Sequence, residues 1–193
     1  GTGNPSLNMT PMYFFHEINV VHLKFDRENI FFKVVRNVVA EAYIVDYLKK
    51  AQKKSGIIYA STRKEVDNLY AYLKLRDISV GKYHAGLTED ERRENQERFI
   101  KDEIQIMVAT NAFGMGIDKS NVRFVIHRNI PKDMESYYQE AGRAGRDGAP
   151  AEAILMFYEE DVSTQTFLID SNEETSDDLK REKMKKLDAN GRV

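Results

Sequence analysis

Cysteine and tryptophan are both absent from this 193-residue chain. Without cysteine there is no disulfide scaffold, no thiolate zinc site and no cysteine nucleophile. Long apolar runs are absent too. No stretch approaches the roughly 20 consecutive apolar residues of a membrane span, and the N-terminus has no apolar core of a signal peptide, so no membrane partner is expected. Excess charge of one sign is missing: 29 Lys+Arg stand against 31 Asp+Glu, for a net charge of −2. That balance neither favours nor excludes a nucleic-acid partner, because the placement of the basic groups decides it. There is no G-x-x-x-x-G-K-[ST] phosphate loop. The one Gly-Lys pair, Gly81-Lys82, runs on into Tyr83-His84 and has no glycine five residues before it. No acidic strand end of the Asp-Glu-x-His type is present to hold Mg²⁺. Phosphoryl transfer needs a phosphate cradle, a metal and a residue that positions the nucleophile, so the chain lacks most of that machinery. His16, His22, His84 and His127 show no ligand spacing, and no metal site is expected.

What is present alternates between two hydrophobic periods. Phe31 to Val35 reads as a strand. Ala40, Tyr43, Ile44, Tyr47, Leu48 and Ala51 recur at helical offsets. Gly56 to Ala60 is a short apolar run of the kind a buried parallel strand shows. A second helix places Val66, Leu69, Tyr70 and Leu73 on one face. Val80 to Tyr83 reads as strand and Thr88 to Ile100 as a very polar helix. Three more strands are expected at Ile104 to Ala109, Val122 to His127 and Ala153 to Tyr158, with a helix from Asp133 to Ala141 between the last two. Thr62 with Glu65 and Thr88 with Glu91 have the spacing of capping boxes. This order predicts an α/β fold: a parallel sheet with helices on both faces. Residues 1–24 read as leader and linker, 25–161 as the folded domain, and 162–193 as a charged helical tail.

Ligands of open parallel sheets bind at the carboxyl ends of the strands, and the informative segments all fall there. Gln139 to Gly148, QEAGRAGRDG, sets Arg143 and Arg146 three residues apart among small residues. Guanidinium is always charged and matches phosphate oxygens bidentately, so the pair suits a polyphosphate. A Gly-rich loop with two solvated arginines is the plainer alternative. Thr110 to Asp118, TNAFGMGID, runs from a buried strand into Gly-x-Gly and a carboxylate. Hydroxyl and backbone N–H groups there suit a phosphate, and Asp118 suits a ribose hydroxyl. Ser61-Thr62-Arg63 opens a helix whose N-terminus suits a backbone phosphate, besides the capping role of Thr62. Local charge agrees: from Lys119 to Arg146 six basic residues face three acidic ones, a local excess of +3.

Taken in order, these segments resemble the C-terminal RecA-like domain of superfamily-two helicases, and within them the RecQ family of DNA helicases. The likeness covers about Phe25 to Asp161. Phe25-Asp26-Arg27-x-Asn29-Ile30 resembles the family's opening of this domain. Ser55 to Val66 is similar to motif IV, Tyr83 to Leu87 to the segment after it, Thr110 to Asp118 to motif V, and Gln139 to Gly148 to motif VI. Ser136-Tyr137-Tyr138-Gln139-Glu140 is especially similar to RecQ. DEAD-box RNA helicases carry His-Arg where this chain has Gln139-Glu140, and Arg where it has Met115, so an RNA helicase half is the weaker reading.

The resemblance implies a RecA-like parallel sheet with a C-terminal helical extension, and roles for single residues. Arg146 is expected to be the arginine finger that reaches the γ-phosphate across an interdomain cleft, with Arg143 assisting. Gly114, Gly116, Asp118 and Gln139 are expected near the nucleotide. Ser61, Thr62, Arg63, His84 and Thr110 are expected on or near single-stranded DNA. The family further implies the second motor domain of an ATP-dependent, 3′-to-5′ DNA helicase. ATP and Mg²⁺ would be bound mainly by an N-terminal RecA-like domain of the same polypeptide. Zinc is expected only in a downstream subdomain, of which the tail would be the start. Single-stranded and partially duplex DNA are the expected partners, in a bacterial nucleoid or a eukaryotic nucleus. An ATP-independent module binding nucleic acid or a partner is the alternative. No interleaving of aromatics with basic residues supports a base-stacking platform.

Overall fold

The computed structural model describes residues 27–158. The expected leader 1–24 and the helical tail 162–193 lie outside the described residues. Among these residues six strands and four helices follow one another as β1 (Ile30–Arg36), α1 (Ala40–Lys50), β2 (Gly56–Tyr59), α2 (Arg63–Lys74), β3 (Val80–Tyr83), α3 (Glu89–Ile100), β4 (Ile106–Ala109), β5 (Phe124–His127), α4 (Met134–Ala141) and β6 (Ala151–Phe157). The strands form one sheet in the order β1-β6-β5-β2-β4-β3. Every pairing is parallel.

Alternation along the strands divides the core into two layers, as period-2 geometry requires. Ile58, Val108, Ile126 and Ile154 face one layer, against Ile44 and Leu48 of α1 and Val66, Leu69 and Leu73 of α2. Ile57, Met107, Val125 and Leu155 face the other, against Phe99 of α3 and Met134, Tyr137 and Tyr138 of α4. The sheet thus carries helices on both faces, as expected. β4 and β5 begin two residues later than the apolar runs at Ile104 and Val122 suggest. Both early residues are buried core, so the apolar pattern extends past the ladder.

The two capping sequences behave differently. At α3 the box is complete: the Glu91 N–H donates to Thr88 Oγ1 at 3.1 Å, and the Thr88 N–H donates to the Glu91 carboxylate at 2.9 Å. At α2 only half of it forms. The Glu65 N–H donates to Thr62 Oγ1, but the Glu65 carboxylate accepts from the Ser61 and Thr62 hydroxyls and from Arg128 and Asn129 beyond β5. The shortest of these is the Ser61 hydroxyl at 2.8 Å, with Arg128 and Asn129 at 3.5 Å, so the carboxylate is turned to side-chain donors instead of the Thr62 N–H.

From β4 the sheet order jumps across β2 to β5. The crossover, residues 110–123, contains no helix. It leaves the carboxyl edge at Thr110 and ends by the amino edge. There Lys119 Nζ donates to Asp102, in the turn after α3, at 2.7 Å. β2 and β5 therefore flank the point where the strand order reverses, the usual ligand position in such sheets.

Candidate functional site

Strand register sets the site. Tyr59 is level with Ala109 and His127, and Ala109 with Tyr83. The residues just beyond them, Ser61, Thr110, His84 and Arg128, therefore leave from one edge. A cavity of about 440 Å³ opens at the reversal point, lined by Ser61, Asn111, Asn129, Lys132 and the buried pair His127 and Glu140.

Ser61, Thr62 and Arg63 are exposed at the start of α2. Ser61 is fixed by its N–H, which donates to Asn129 Oδ1 at 3.0 Å, and by its hydroxyl on Glu65 at 2.8 Å. Behind them Arg128 donates to Glu41 at 2.7 Å. That guanidinium holds the Glu41 carboxyl below the usual range. His84 and Thr110 are buried, at 5% and 8% exposure. His84 Nε2 lies 2.8 Å from Asp67 Oδ1, and Nδ1 accepts from the Gly86 N–H at 3.0 Å. With both ring nitrogens engaged, the imidazole ties the loop after β3 to α2. Partial burial works to raise the Asp67 carboxyl, but the hydrogen bonds from His84 and Lys82 outweigh it and the carboxyl is held low.

The crossover loop and the arginine loop lie against each other. Gly114 and Gly116 both have positive φ, at 121° and 77°. The Arg143 guanidinium occupies the place a Cβ of residue 114 would need, so only glycine fits there. Arg143, half-buried, donates Nε to Gly114 O at 3.1 Å and Nη1 to Gln139 O at 3.2 Å. Arg146, exposed, donates Nη1 to Ile117 O at 3.0 Å. Both guanidinia are thus docked on carbonyls of the crossover loop rather than converging on one empty point. Gln139 and Asp118 are exposed beside them. Beneath, Tyr59 donates its hydroxyl to Phe113 O at 3.1 Å. Burial pushes that phenol far above its ordinary value, so it remains a neutral donor.

Helix α4 delivers the arginine loop. The Ser136 N–H donates to Asp133 Oδ1 at 2.7 Å, closing its N-terminus. Tyr137 and Tyr138 anchor its inner face, and Glu140 Oε1 lies 3.1 Å from His127 Nε2 at the end of β5. Among the described residues, no group of three or more His, Cys, Asp or Glu side chains could hold a metal ion, and no helix is long and apolar enough to cross a membrane.

Sequence patterns did not single out Arg27, Asn29, Arg128 or Asn129 for any role, and gave Glu65 only a helix cap. The last three support Ser61. Arg27 donates to Gly142 O, Ala144 O and Gly145 O, and Asn29 to Gly145 O and Ala149 O. These partners are 115 to 120 residues away in sequence. The one visible signal was that Arg27 and Asn29 stand in the segment resembling the opening of a RecQ domain.

The helicase conserved C-terminal domain family matches residues 39–148. The chain is 52% identical over 169 residues to the ATP-dependent DNA helicase RecQ of Bacillus subtilis (strain 168), covering 88% of this chain. It spans only 28% of that relative's length. Among solved structures, the DUF1998 helicase MrfA bound to DNA is similar in fold, with a TM-score of 0.60 and 24% identity over 66% of this chain and 20% of its own. Domain 2 of the DEAD-box helicase Mss116p, bound to an RNA duplex, matches with a TM-score of 0.59 and 25% identity over 68% of this chain and 55% of its own. Motif order, sheet and likeness agree: the chain belongs to the helicase conserved C-terminal domain family, as the C-terminal helicase domain of a RecQ-type helicase.

Proposed function

We propose that this chain is the second motor domain of an ATP-dependent 3′-to-5′ DNA helicase, supplying the arginine finger and part of the single-stranded DNA track. One observation carries the reading. Arg146 is exposed on a loop whose backbone is bonded on both sides, so its guanidinium is presented from a fixed base. Charge spreads over the γ-phosphoryl oxygens in the transition state, and an arginine placed there is worth about 10³–10⁵ in rate in NTPases. Arg143 donates to Gly114 O on the crossover loop. Movement of either loop is thereby felt by the other, which couples hydrolysis to DNA grip. Gly114, Gly116, Asp118 and Gln139 line the nucleotide side of this seam.

On the DNA side, exposed Ser61, Thr62 and Arg63 contact backbone phosphates. Buried His84 and Thr110 shape the loops beneath. ATP with Mg²⁺ supplies the phosphoryl group and the metal charge when bound, held mainly by an N-terminal RecA-like domain of the same polypeptide. This chain offers guanidinia to that nucleotide, and has neither a phosphate loop nor a group of acidic ligands among its described residues. It is therefore proposed to be inactive alone.

The test is Arg146→Ala in a full-length RecQ-type helicase bearing this domain. DNA-stimulated hydrolysis is expected to fall by about 10³ or more; activity within tenfold of the parent sinks the finger role. Single-strand binding by this domain should be weak and fall steeply with salt. Tight, salt-insensitive binding would point instead to an ATP-independent module.

A further inference from the structure

The arginine loop has no helix or strand of its own between α4 and β6, so its backbone groups must find partners elsewhere. The Arg143 and Ala144 N–H groups bond back to α4 and that of Gly148 to Gly145 O, while two others use the end of the crossover. Gly145 donates to Val122 O at 2.8 Å and Asp147 to Ser120 O at 3.1 Å. Its carbonyls use two side chains that precede β1. Arg27 Nη1 donates to Gly142 O at 3.1 Å, and Nη2 to Ala144 O at 2.9 Å and Gly145 O at 3.0 Å. Asn29 Nδ2 donates to Gly145 O at 2.6 Å and Ala149 O at 2.9 Å. A guanidinium suits this position for two reasons. It meets the carbonyls of Gly142 and Ala144 past the end of α4, besides Gly145 O, which also accepts from the Gly148 N–H, and it faces the negative end of that helix's dipole. The fit is close. Gly145 has φ 60°, and a Cβ there would lie 2.5 Å from Asn29 Nδ2.

We propose that Arg27 and Asn29 are positioning residues for the arginine finger. They hold the carbonyl side of residues 142–149, and so fix where Arg143 and Arg146 stand, without touching nucleotide. The proposal deepens the reading of Arg146 given above and rests on it. Neither side chain belongs to the hydrophobic core, and both are half-exposed. Removing them leaves the sheet and the loop's N–H bonds intact, so the loop stays attached while its arginines lose their bearing. A displacement of about 1 Å at a reacting group can cost about 10²-fold in rate.

The experiment uses a full-length RecQ-type helicase carrying this domain. Arg27→Met keeps the aliphatic stem and removes the donors, and Asn29→Ala is a second, milder variant. DNA-stimulated kcat is expected to fall about tenfold to a hundredfold for Arg27→Met and less for Asn29→Ala. KM for ATP and the melting temperature should stay close to the parent values. Because Arg27 acts through the two arginines it aims, Arg146 foremost, Arg27→Met should slow Arg146→Ala by far less than it slows the parent. Parent-like kcat in both variants overturns the proposal, as does a loss that tracks a fall in melting temperature, or a double variant slower than Arg146→Ala by the full Arg27 factor. If Arg146→Ala leaves hydrolysis intact, the finger role itself has failed. If Arg146→Ala stops hydrolysis while Arg27→Met does not, only the positioning role has failed.

Discussion

Lys119 keeps only 2% of its side chain exposed, and a single carboxylate answers its charge. Asp102, itself more than half exposed, receives the ammonium at 2.7 Å. The Lys119 hydrogen bond is the main reason its carboxyl lies below the ordinary value; partial burial opposes it and Asn121 assists. A carboxyl depressed in the folded state adds stability that is complete above its unfolded value and is lost as the pH falls through the lower folded one. Asp102→Asn should therefore destabilise the domain at neutral pH and flatten the acid limb of its stability curve. The exposed half of the pair is screened by solvent, so the neutral-pH loss should be about 1–2 kcal/mol, between the values for exposed and buried pairs. Urea midpoints measured from pH 7 down through the carboxylate range check both the sign and the flattening. An unchanged acid limb would mean that other carboxylates dominate.

Among the elements, α3 depends most on its ends. It buries only Phe99, and its sequence is mostly charged. Its completed capping box therefore carries a larger share of its stability than any box could on α1, which buries four residues. Thr88→Ala is expected to cost about 1 kcal/mol. Urea denaturation should show a lower midpoint at unchanged slope; no shift would place the helix's stability in its salt bridges. All ten described elements were legible in the sequence, because apolar period and breakers are local signals. The ladder starts of β4 and β5 were not, since Ile104 and Val122 are buried but stand outside the strand ladders. The box at Thr62 was read half correctly: its hydroxyl caps the Glu65 N–H, but the carboxylate turns to the Ser61 hydroxyl and to Arg128 and Asn129 beyond β5. The site shows the same division. Motif-bearing residues gather at one sheet edge, as their order implied. The docking of both guanidinia on the crossover loop, and the clamp by Arg27 and Asn29, join segments whose proximity exists only after folding.

At the scale of the whole molecule, the first described strand is paired with the last. Ile30 lies level with Ala151 and Arg36 with Phe157, and β6 also pairs with β5. A chain ending at residue 150 leaves β1 without its only ladder partner among the described residues and uncovers one side of β5. Such a chain should show no cooperative melt and should bind a hydrophobic dye; a sharp thermal transition would show that β2 to β5 fold without it. Pairings this distant in sequence are made late, since loop closure must precede them. On the ribosome, where synthesis proceeds from the N-terminus at about 5–20 residues per second, β1 must wait for almost the whole domain to be made. The arginine loop emerges just before β6, and its clamp arrives with β1. The pairing that completes the described sheet is therefore also the one that brings Arg27 and Asn29 onto the arginine loop. On the role proposed above for Arg146, a polypeptide stalled or cut short before that strand would leave its arginine loop unclamped and the guanidinium unaimed.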